Sequence, residues 1–137
     1  YMAKNIRTIA FDLGGVLFLN DNDTNIFSKN YLETPINPDI LGIVKTLSVD
    51  NNNKLIIISK AFPNNAKKSK EILGKYKIDH YFNSIIFCER LEDKAKIAEA
   101  MRVNIMIDDR EDVLKHFPEF IRTILYKKGD DISSILK

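Results

Sequence analysis

The sequence predicts an α/β domain: a doubly wound, Rossmann-like parallel sheet of five strands with helices on both faces. Short apolar runs rich in β-branched residues recur along the chain without the polar alternation of a half-exposed strand, which is the pattern of strands buried on both faces. Stretches with helical spacing of apolar residues separate them. The 137 residues, 45% hydrophobic, suffice for one sizeable core, so a single domain over residues 1–137 is expected.

The first strand is expected over Thr8 to Phe11, ended by Asp12 and the pair Gly14-Gly15. Leu19 to Ile36 is polar and irregular, with Phe27 and Tyr31 inside it. Asn37-Pro38 then supplies a helix N-cap and a first-turn proline, and Ile40, Leu41, Val44 and Leu47 share one face until the polar run Asp50 to Asn53 stops the helix. Leu55 to Ile58 is the second strand. A helix from Pro63 places Ala66, Ser69, Leu73 and Tyr76 at helical spacing. Ser84 to Phe87 is the third strand, followed by a helix from near Glu92 with Ala95, Ala98 and Met101 inward. Asn104 to Ile107 is the fourth strand, and Val113, Leu114 and Phe117 mark a short helix before the fifth, Ile121 to Tyr126. Ile132 to Leu136 closes the chain as a short turn.

Composition narrows the function classes. A formal charge of +2 gives no concentrated basic field, so net charge by itself argues for neither a nucleic-acid nor a membrane-surface protein. The lysines at 67, 68, 70, 75 and 77 form a local basic run, interrupted by Glu71, that reads as a solvated helix face. Cys88 is the sole cysteine, which excludes an intramolecular disulfide and a cysteine-rich metal site and fits a reducing, cytoplasmic setting. No stretch approaches the roughly 20 apolar residues of a membrane span, and the N-terminus lacks a signal-like apolar run. His80 and His116 have no partner at metal-ligand spacing and read as structural.

In doubly wound sheets ligands bind beyond the carboxyl ends of the strands, where the chain order reverses. The residues there are Asp12, Ser59 and the pair Asp108-Asp109, with Lys94 opening the third helix. Three clustered carboxylates repel one another unless a cation lies among them, and an all-oxygen set suits Mg²⁺. An aspartate can also attack phosphorus and carry an aspartyl-phosphate. Lys94 would hold the charge developing on the phosphoryl oxygens, Ser59 would donate a hydrogen bond, and the N–H groups of Gly14 and Gly15 can approach closely.

This order of residues resembles the haloacid dehalogenase superfamily of phosphotransferases, over roughly residues 6 to 126. Its first motif, a strand ending in the nucleophilic aspartate, is matched by Asp12 in FDLGGVL, and its hydroxyl motif by Ser59 in LIIIS. The motif lysine is matched by Lys94 in EDKAKIAEA, with Lys96 as the alternative, and the acidic pair by Asp108 and Asp109 in IMIDD. The resemblance implies a Mg²⁺-dependent phosphomonoester hydrolase with Asp12, the Gly14 carbonyl, Asp108 and Asp109 around the metal. Its phosphatases usually carry a second aspartate two residues after the nucleophile as acid and base, and here that residue is Gly14. A catalytically weak or inactive relative that binds a phosphorylated ligand or a protein is therefore the alternative.

Superfamily members often insert a cap domain, for which this chain has no room, so a capless type is implied, with residues 19–36 as a flap and Phe18, Phe27 and Tyr31 as its contacts. Capless members tend to accept large substrates, which keeps both a phosphorylated small molecule and a nucleic-acid end open as the ligand. A two-component receiver domain uses similar residues, but it places the acidic pair early and the lysine late, whereas here the pair comes last.

Overall fold

The computed structural model describes residues 5–19 and 23–136. Five strands, β1 (Arg7–Phe11), β2 (Asn53–Lys60), β3 (Ser84–Cys88), β4 (Ile105–Asp108) and β5 (Arg122–Leu125), form one sheet in the order β3-β2-β1-β4-β5. Every neighbouring pair is parallel. Four helices, α1 (Pro38–Ser48), α2 (Pro63–Lys75), α3 (Asp93–Ala100) and α4 (Glu111–Leu114), alternate with the strands.

Side-chain alternation along the strands builds two separate cores. Ile9, Phe11, Leu55, Ile57, Ile105 and Ile107 point to the side covered by α1 and α2, where Ile40, Val44, Ile72 and Leu73 meet them. Ala10, Ile56, Ile58 and Met106 point to the other side, against Ala98 and Leu114 of α3 and α4. This explains the unbroken apolar runs of the inner strands β1, β2 and β4, buried on both faces, whereas the edge strands β3 and β5 are partly exposed.

The chain runs outward from β1 through β2 to the edge strand β3, then crosses to β4 on the other side of β1. The reversal falls between β1 and β4, whose carboxyl ends carry Asp12 and Asp108. Pairing of Phe11 with Ile107 sets those two residues level, and the Asp12 N–H donates to the Ile107 carbonyl at 3.0 Å.

All five strands differ in their bounds from the sequence reading, β1 and β3 by a single residue at one end and β2, β4 and β5 at both ends. β2 extends through Ser59 and Lys60 because β3 continues the ladder to Ser59–Phe87 and Lys60–Cys88. β5 is shorter, with Ile121 and Tyr126 buried just outside it. The flap expected over 19–36 falls partly outside the described residues. Its described part holds a 3-10 turn at Tyr31–Glu33, whose Tyr31 hydroxyl donates to Glu71 on α2 at 2.6 Å. Among the described residues, no helix is long and apolar enough to cross a membrane.

Candidate functional site

Asp12 leaves β1 into a short apolar loop that is itself part of the core. Leu13, Val16, Leu17 and Phe18 are buried, and the Leu13 carbonyl accepts from both Val16 N–H (3.1 Å) and Phe18 N–H (2.8 Å). Phe18, expected to line the flap, is instead a core residue. Asn37 fixes the loop from outside. Its backbone N–H donates to the Leu17 carbonyl and its amide to the Val16 carbonyl, while its Oδ1 caps α1 at Asp39 N–H. The same amide donates at 2.9 Å to the hydroxyl of Tyr126, whose N–H in turn reaches the Asp108 carbonyl. The loop after β1 and the end of β4 are thus tied together behind the carboxylates. The sequence reading took Asn37 only as a helix cap and Tyr126 only as an apolar strand end; the signal for more was a buried tyrosine, whose hydroxyl needs a partner.

The carboxylates of Asp12, Asp108 and Asp109 each place an oxygen within 4.8 Å of the others. Lys94 lies in the first turn of α3, and its Nζ reaches Asp108 Oδ2 at 2.8 Å and Asp12 Oδ1 at 3.1 Å. Its side chain is 2% exposed, whereas that of Lys96 is 76% exposed and faces Asp93 at 3.7 Å. Lys94 is therefore the lysine brought to the carboxylates, and Lys96 is not.

Three carboxylates against one ammonium leave an excess of negative charge in a buried place, and the proton affinities reflect it. Burial, reinforced by Asp108 and Asp109 and opposed by Lys94, pushes Asp12 up to about 7. Burial and then Asp108 push Asp109 upward as well. Burial works against the charged Lys94, but Asp12 and Asp108 outweigh it and hold the ammonium above its ordinary value. An all-oxygen donor set with this charge fits a hard divalent cation.

Asp109 has room because of Gly15. That residue adopts φ +79°, and a Cβ built on it would collide with the Asp109 carboxylate. Its N–H donates to the Phe18 carbonyl at 3.0 Å and is engaged within the loop. Gly14 pairs with Phe18 through an isolated bridge and is not among the glycines at positive φ. Ser59 is buried one residue beyond the β2 position level with Asp12. Arg110 forks onto Asp112 at 3.0 and 2.7 Å, while its N–H donates to Asp108 Oδ1. Neither histidine joins the carboxylate cluster among the described residues. A cleft of about 780 Å³ lies elsewhere, lined by Arg7, Asp39, Asn53 and Asp130 near the amino ends of β1 and β2.

No family model matches the chain, and no curated protein matches it in sequence. Solved structures share the fold. A chain from the structure of a Pnkp1/Rnl/Hen1 complex matches with a TM-score of 0.72 at 17% identity, over 94% of this chain and 48% of that one. A chain from the Pnkp1/Rnl/Hen1 RNA repair complex gives 0.69 at 17% identity, over 93% and 46%. An uncharacterized protein from Listeria monocytogenes serotype 4b gives 0.53 at 12% identity, over 76% and 67%. The chain spans about half the length of the first two. At these identities the likeness concerns the Rossmann-like architecture alone.

Proposed function

We propose that this chain is a haloacid-dehalogenase-like phosphomonoester hydrolase that uses Mg²⁺ and forms an aspartyl-phosphate on Asp12. The observation that carries the reading is the buried Lys94 held between Asp12 and Asp108 at the point of strand-order reversal, with Asp109 alongside.

Asp12, Asp108, Asp109 and the Gly14 carbonyl would hold the cation. When bound, Mg²⁺ neutralises charge on the phosphoryl oxygens and offsets the excess of the carboxylates. An Asp12 carboxylate oxygen attacks phosphorus, forming a new P–O bond as the bond to the leaving oxygen breaks. Water then attacks the aspartyl-phosphate, releasing inorganic phosphate and restoring the carboxylate. Lys94 places its ammonium beside both Asp12 and the developing charge, and the Ser59 hydroxyl holds a phosphoryl oxygen. Of the two glycines expected to approach the phosphoryl group, only Gly14 keeps that role, since the Gly15 N–H is engaged by Phe18 and its open side is filled by Asp109. Gly14 has no side chain to protonate the leaving group, so substrates with good leaving groups are favoured.

Two of the three neighbours are chains from Pnkp1/Rnl/Hen1 structures, one of them an RNA repair complex, which supports including nucleic-acid ends beside small metabolites among the candidate phosphomonoesters. The test is hydrolysis of a panel of nucleotides, sugar phosphates and phosphate-ended oligonucleotides with and without Mg²⁺, by the wild type and Asp12→Asn. Turnover that needs Mg²⁺ and vanishes in folded Asp12→Asn is expected. Silence across the panel would leave the second reading, a phosphoryl-ligand-binding protein, which Gly14 in place of an acid favours.

A further inference from the structure

The basic run along α2 divides in two. Lys68 lies 5.1 Å from the Tyr31 ring and Lys75 donates to the Leu32 carbonyl at 2.7 Å, so both hold the segment around the 3-10 turn. Glu71, the single acid of α2, is engaged on that same flank by the Tyr31 hydroxyl. Three other cations, Lys60, Lys67 and Lys70, run from the end of β2 along α2, and Lys77 lies past the helix end. Lys60 ends β2 directly after Ser59 and lies 5.5 Å from the ring of Phe62, which is 53% exposed. Lys67 is exposed one turn into α2, and Lys70, one turn further, lies 5.9 Å from the Phe87 ring on the edge strand β3. Among the described residues none of the three has an ion-pair partner.

We infer that Lys60, Phe62, Lys67 and Lys70 form a docking track for single-stranded nucleic acid leading to the carboxyl end of β2. This rests on the proposed hydrolase reading and names the substrate that its site receives. Three cations outside the ion pairs of the described residues, with Glu71 one turn from Lys67 already engaged by the Tyr31 hydroxyl, are complementary to a phosphodiester backbone, and the chain's net charge of only +2 makes their segregation local. Phe62 offers one half-exposed aromatic face at the end of the track nearest Ser59, and any base can stack on an aromatic face. At about 1.5 Å of rise per residue, Phe62 to Lys70 spans roughly 12 Å, the reach of a few nucleotides rather than of a mononucleotide.

The test is fluorescence anisotropy with an oligouridylate of about ten nucleotides, titrated across a range of salt. Binding should weaken with salt with a log–log slope near −2, from about 0.7 per phosphate contact. Lys67→Ala and Lys70→Ala should each reduce the slope by about 0.7 while leaving turnover of a small aryl phosphate unchanged. Phe62→Ala should weaken binding roughly tenfold with the slope unaltered. Lys45→Ala, on α1, is the control and should change nothing. Equal losses in Lys45→Ala, or equally effective competition by oligoglutamate or anionic vesicles, would overturn the track. Turnover of small phosphomonoesters without oligonucleotide binding would remove the track and leave the hydrolase. Lysine-dependent oligonucleotide binding without any turnover would do the reverse.

Discussion

The carboxylate of Asp109 occupies the space that a Cβ on Gly15 would need, so the second acid of the pair and the second glycine of the loop are fitted to each other across nearly a hundred positions of sequence. Gly15→Ala meets two obstacles: φ +79°, which costs a non-glycine residue about 1–2 kcal/mol, and the collision with Asp109. Destabilisation of at least about 1 kcal/mol in urea is expected, together with a weaker rise of melting temperature with Mg²⁺. A variant as stable and as metal-responsive as the wild type would show that Asp109 relocates freely.

Lys94 and Lys96 should separate cleanly. Lys94→Met leaves Asp12 and Asp108 buried without their cation, a change that costs about 3–5 kcal/mol for a broken buried pair. Lys96→Met removes only an exposed contact and should fall within about 0.5 kcal/mol of wild type. Chemical denaturation of the two variants checks this, and comparable losses would contradict the burial difference.

Metal-free protein should lose stability as pH rises from about 4 to about 7. The unfolded chain releases the Asp12 proton near the ordinary value of 3.8, whereas the folded chain keeps it until about 7, so the native state binds more protons inside that window. The raised Asp109 acts in the same direction, and the raised Lys94 contributes stability that is lost only far above it. Three units correspond to about 4 kcal/mol at most. Denaturation in EDTA at pH 5 and pH 7.5 should show the decline, while saturating Mg²⁺ or Asp12→Asn should flatten it. A metal-free profile that rises with pH would contradict the crowding of these carboxyls.

On the proposed hydrolase reading, Gly14→Asp should add a proton-transfer group. Gly14 is not among the positive-φ glycines, so no left-handed backbone strain opposes a side chain there. Hydrolysis of alkyl phosphates should rise, by up to about 10²–10⁴-fold, with little change for aryl phosphates. A folded, Mg²⁺-binding variant without that gain would show that leaving-group protonation does not limit the proposed hydrolysis.

The fold was legible because burial of the inner strands leaves a local mark: apolar β-branched runs of four to six residues, most of them followed by a polar residue. Asp12 and Asp108 could be placed for the same reason, since each ends such a run. The choice between Lys94 and Lys96 was not legible, because residues two apart on a helix differ only in which side they present, and the neighbouring strands decide that. Gly15 looked like a backbone donor, and only the three-dimensional position of Asp109 reveals that the glycine makes room. Nor does any local pattern connect Asn37 with Tyr126, which meet across 89 positions.

That last contact has a consequence for the chain as it is synthesised. Asp12 and its loop emerge first, yet the strand that sets Asp108 beside them comes after α3, and the hydroxyl that engages the Asn37 amide arrives with Tyr126, near the end of the described residues. A nascent chain that has produced only β1 through β3 therefore carries Asp12, the proposed nucleophile, on an edge strand, with no acidic pair and no buried lysine. On the proposed hydrolase reading the chemistry is withheld until β4 and β5 dock, so a ribosome-bound fragment should be inert toward phosphate esters however long it waits.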